Sequence, residues 1–139
     1  MSNGTPAGLF LLRLHTARII PGAPYLVLTL SVDTPTNKVT GHVSVTQATS
    51  PPLDVQGHVT GDLIHEFVLP PAKSHQRINL TGYPIIHWPP GGGIGPVIPP
   101  IFNAIIVLDE NYQEGVAKFS YRNEFGAWHS AQQDVVKVP

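Results

Sequence analysis

The sequence predicts an all-β domain, an antiparallel β-sandwich or closed barrel of about eight or nine strands with one long Pro/Gly-rich loop. Three observations lead there. Fifteen prolines and thirteen glycines punctuate the chain, and proline is excluded from helix interiors and central strands. No stretch keeps a period of 3.6 over the length of a helix. Many short stretches alternate apolar and polar residues instead, which is the signature of a half-buried strand.

The elements follow in order. Gly8 to Ala17 forms the first expected strand. Tyr25 to Val32 is the clearest, with Leu26, Leu28, Leu30 and Val32 on one face and Tyr25, Val27, Thr29 and Ser31 on the other. Asp33 to Asn37 has the composition of a loop. Lys38 to Gln47 returns, placing Val39, Gly41, Val43 and Val45 against Thr40, His42, Ser44 and Thr46. Ala48 to Pro52 is the next turn. Leu53 to Thr60 alternates again, Gly61-Asp62 fits a tight two-residue turn with Gly first, and Leu63 to Leu69 returns. Further strands are expected at Gln76 to Tyr83, Phe102 to Leu108, Val116 to Arg122 and Trp128 to Val138. Asn111 to Gly115 and Asn123 to Gly126 close the last two hairpins. The spacing gives one domain over residues 1–139.

The segment from Pro84 to Pro100 stands apart. It is rich in Pro and Gly, yet also apolar, with Ile85, Ile86, Trp88, Ile94, Val97 and Ile98. A flexible linker would carry serine and charge instead. Long loops in small domains either pack as compact excursions or bind something. Its glycines do not make a P-loop, because no Lys-Ser or Lys-Thr follows, and no helix opens after them as a dinucleotide site requires.

The strings Ile86-His87-Trp88-Pro89-Pro90-Gly91, Ile94-Gly95-Pro96-Val97-Ile98-Pro99-Pro100 and Ser50-Pro51-Pro52-Leu53-Asp54-Val55 carry a resemblance. The chain resembles an uncharacterised bacterial domain-of-unknown-function family of small mostly-β proteins. The resemblance implies a bacterial origin and a mostly-β domain, and it brings no activity, cofactor or catalytic residue.

Composition narrows the function. Charged residues make up 12% of the chain and the net charge is −1, against a usual charged share of roughly 25%. No basic field is present to hold a phosphate backbone, so nucleic acid is not an expected partner. There is no cysteine, which removes disulfides, thiolate metal sites and thiol nucleophiles and suits a reducing compartment. The apolar run Leu9-Phe10-Leu11-Leu12 is cut by Arg13, too short for a signal-peptide core or a membrane span. A cytoplasmic protein without membrane insertion is the expectation.

Seven histidines invite a metal hypothesis. If Ala48 to Pro52 and Gly61-Asp62 are both hairpin turns, His42 faces His58 and His58 faces His65. The three would then form a row on one face, with opposed Cβ atoms about 4.5–5.5 Å apart. A straight row makes a poor tetrahedral corner, and a one-residue slip would destroy it. No metal or cofactor is assigned on that basis. No Gly-x-Ser-x-Gly elbow occurs, and His65 and Glu66 should point to opposite faces. Glu66 is odd in sharing a face with Ile64 and Val68. Trp88, Trp128, Tyr112 and Tyr121 could form an aromatic binding surface, or else sit in the core or in cross-strand pairs.

The leading expectation is a non-enzymatic binding or interaction module, with Ile86, His87, Trp88, Ile94, Val97 and Ile98 meeting an unknown protein or a small apolar ligand. The alternatives are a barrel carrying an apolar ligand inside, and a hydrolase without a familiar motif.

Overall fold

A computed structural model describes residues 8–48, 52–66, 75–85, 99–122 and 126–138. The chain is an up-and-down β-barrel of eight strands. They are β1 (Leu9–Thr16), β2 (Tyr25–Asp33), β3 (Lys38–Gln47), β4 (Leu53–Glu66), β5 (His75–Pro84), β6 (Phe102–Asp109), β7 (Glu114–Arg122) and β8 (Trp128–Lys137). Each pairs antiparallel with the next, and β8 returns to β1, so the sheet closes on itself. There is no helix among the described residues. Of the two architectures the sequence allows, the barrel is the one formed.

The alternation expected from the sequence sets the two faces. Along β2, Leu26, Leu28, Leu30 and Val32 are fully buried, while the intervening residues lie outside. β6 repeats the pattern with Phe102, Ala104, Ile106 and Leu108 inward. Leu12, Leu28, Val43, Ile78, Phe102, Ile106 and Ala117 have no accessible surface at all, so no space large enough for a water molecule touches them. Phe102 and Phe119 stack inside with ring centroids 6.2 Å apart. The interior is therefore filled by side chains, as small barrels usually are, and that leaves no room for a ligand carried among these residues.

One expected element is corrected. Gly61-Asp62 is not a turn: β4 runs unbroken for 14 residues through it. The two expected strands on either side are one strand, which is why eight form. Gly61 pairs with Val39 on one side and Leu80 on the other. A Cβ placed there would lie 1.6 Å from the Asn79 carbonyl oxygen. Glycine is thus required at a corner where two backbones press together, a known use of strand glycine in barrels.

Closure rests on a short seam. β1 and β8 share only three register pairs, Leu14 to Thr16 against Lys137 to Val135. Side chains lengthen it. The buried Thr16 Oγ1 donates to Gln133 Oε1 at 2.8 Å and accepts the Leu26 N–H at 2.9 Å, while Gln133 Nε2 donates to the Pro24 carbonyl at 2.6 Å.

The strand directions sort the connections between two ends. The upper end carries the β1–β2, β3–β4, β5–β6 and β7–β8 connections. The lower end carries the other three, with Gly8 and Val138.

Candidate interaction surface

The six loop residues expected to bind, Ile86, His87, Trp88, Ile94, Val97 and Ile98, lie outside the described residues. The stems of that loop are described. Tyr83, Pro84 and Ile85 leave β5 at the upper end, and Pro99, Pro100 and Ile101 return there to β6. Ile101 anchors the return, its N–H donating to the Gly82 carbonyl at 2.8 Å and its carbonyl accepting the Arg122 N–H at 2.9 Å.

Exposed apolar side chains lie at this end, among polar ones such as Arg18, Asp54 and His129. Ile19 is 79% exposed, Ile20 55%, Trp128 45%, Ile85 39% and Tyr83 38%. These are five of the nine exposed large apolar side chains among the described residues. Ile19 and Ile20 enter the β1–β2 connection just before Pro21 and Gly22, whose φ of 81° only glycine adopts easily. They border a depression of about 490 Å³ that Tyr25, Gln47 and Leu53 complete. Below the rim, the Tyr121 hydroxyl donates to Gln47 Oε1 at 3.3 Å. Burial pushes the Tyr121 phenol above its usual range.

Of the four candidate aromatics, Trp128 is on this surface, Trp88 lies outside the described residues, and Tyr112 and Tyr121 are buried. Tyr112 belongs to the lower end. It sits in the β6–β7 turn with φ 61° and folds its ring against Phe10, centroids 5.3 Å apart. Its hydroxyl and Oε1 of the nearby strand residue Gln76 are buried without a partner among the described residues. Burial also raises the Tyr112 phenol.

The histidine row is half formed. His42 pairs directly with His58 on the outer face, as expected. With no turn at Gly61-Asp62, His58 pairs instead with Tyr83, and His65 pairs with Gln76. His58 and His65 are seven residues apart on one strand and so lie on opposite faces. No group of three or more metal-binding side chains occurs among the described residues. Glu66 is explained: Ile64 and Glu66 both face outward, and the carboxylate lies 2.8 Å from His75 Nε2 and 3.2 Å from Arg77 Nε. His65, one residue earlier, faces the other way.

No helix among the described residues is long and apolar enough to cross a membrane. The barrel's outer face includes a row of short polar side chains. One register row around it reads Ser31, Thr40, Thr60, Thr81, Asn103, Ser120 and Ser130.

The fold and surface define an eight-stranded, side-chain-filled β-barrel with five exposed apolar side chains at one end. The chain belongs to the family described as Domain of unknown function (DUF1842), whose model matches residues 7–128. No curated protein of similar sequence was found.

Proposed function

We propose that this protein is a non-enzymatic binding module that takes an apolar segment of a partner protein at the upper end of the barrel. The observation that carries the reading is that Ile19, Ile20, Tyr83, Ile85 and Trp128 are all exposed at the end of the barrel from which the Pro84 to Pro100 loop springs. Exposed apolar side chains are ordinary when scattered, and a group of them on one rim marks a contact surface. A filled barrel is a rigid support, so little ordering entropy is lost when the rim docks. In this proposal Ile86, His87, Trp88, Ile94, Val97 and Ile98 extend the same surface. The cysteine-free composition suits action in the reducing cytoplasm.

The test is cross-linked partner capture with the wild-type chain and with an Ile20→Asp, Trp128→Ala variant. The captured protein is then titrated against each purified chain. Wild-type chain should bind and show a blue shift in tryptophan emission, and the variant should lose binding while keeping its unfolding midpoint. Equal binding by both chains would refute the rim as the contact.

A further inference from the structure

A second surface lies on the flank of the barrel, away from the rim. Two register rows cross β5 to β8 there: Asn79, Ile105, Lys118 and Gln132, and beside them Asn103, Ser120 and Ser130. Short serines flanked by longer side chains leave a groove of about 740 Å³, which Arg77 closes on one side. We propose that this groove binds an acidic saccharide.

The chemistry of the lining selects that class. Two cations, Arg77 and Lys118, border the groove and no carboxylate does, although acidic residues outnumber basic ones in the chain. The two strands bearing the cations are separated by β6, hence by about 10 Å, enough to span a sugar ring that carries an anion. Between them Ile105 is 49% exposed, an apolar platform for the C–H face of a ring. Asn79, Asn103 and Gln132 supply amides that both donate and accept, which matches ring hydroxyls. The Ser120 and Ser130 hydroxyls, 2.8 Å apart, add two more. Glu66 lies 3.2 Å from Arg77 Nε without making a hydrogen bond to it, whereas Lys118 makes no ion pair among the described residues.

The experiment follows backbone and side-chain amide NMR signals while tetragalacturonate is added to the full chain, with its methyl ester and inorganic phosphate as comparisons. Shifts confined to Asn103, Ser120 and Gln132, weakened about tenfold by the ester and by Lys118→Gln, support the site. Lys118 is exposed, so that variant keeps the fold, and its unfolding midpoint verifies this. No shifts, shifts at the upper rim alone, equal binding of the ester, or the same shifts from phosphate alone would overturn the assignment. Because the rim and the flank are separate, failure here leaves the rim proposal standing, and the reverse.

Discussion

Replacing Gly61 by alanine puts two opposite effects in competition. In the unfolded chain alanine has fewer accessible conformations than glycine, which stabilises a compatible site by about 0.4–1 kcal/mol. In the barrel the new Cβ would meet the Asn79 carbonyl oxygen at 1.6 Å, its carbonyl carbon at 2.7 Å and the Leu80 Cα at 3.1 Å. All three are main-chain atoms of β5, so no side-chain rotation relieves the clash. β5 must move away, straining the pairs Gly61 with Leu80 and Asp62 with Asn79. Overpacking alone costs about 1–3 kcal/mol, and each weakened ladder bond adds roughly 1 kcal/mol. The net expectation is a loss of about 3 kcal/mol, or about 10 °C in Tm for a domain of this size. Urea and thermal unfolding followed by circular dichroism measure it. Thr60→Ala, at the adjacent outward position, is the control and should cost under about 1 kcal/mol. A Gly61→Ala chain as stable as wild type would refute the barrel-corner argument. Gly41 and Gly115, whose added Cβ atoms would lie 2.0 and 1.9 Å from neighbouring carbonyl oxygens, should behave as Gly61 does.

Other outcomes follow from single contacts. Thr16→Val keeps the shape but removes the hydroxyl that serves both Gln133 and the Leu26 N–H, and should lower unfolding free energy by about 1–3 kcal/mol. Lys38→Ala removes an exposed ion pair with Asp62 and should shift stability by less than about 1 kcal/mol in a urea titration. Absorbance at 295 nm should show Tyr112 and Tyr121 ionising later than the ordinary phenol value of 10.0 in the folded chain. Above that pH the unfolded chain releases these protons first. Stability should therefore be complete below pH 10 and fall as the pH climbs toward the raised folded values. Phe10→Ala should bring the Tyr112 transition back toward 10.0 by opening its packing.

Which residues face inward is legible from the alternation alone. Leu26 to Val32, Val39 to Val45 and Phe102 to Leu108 alternate with a period of two, and a strand has no other way to bury such a pattern. The β2–β3 and β3–β4 connections are legible in the sequence too, and with them the direct pairing of His42 and His58. Gly61-Asp62 was misleading for a physical reason. Glycine's missing Cβ serves a tight turn and a close crossing of backbones equally well, and local sequence does not distinguish them. That one ambiguity displaced His65 from the row, because the facing residue is set by the neighbouring strand rather than by local alternation. That the sheet closes as β8 reaches β1, and that its interior fills with side chains, follows only from the assembled barrel. It also brought Ile19, Ile20, Tyr83, Ile85 and Trp128 from three separate stretches of chain to one end of the barrel. Periodicity specifies a face within a strand; which strands become neighbours, and at which end their loops meet, depends on register and closure over the whole barrel.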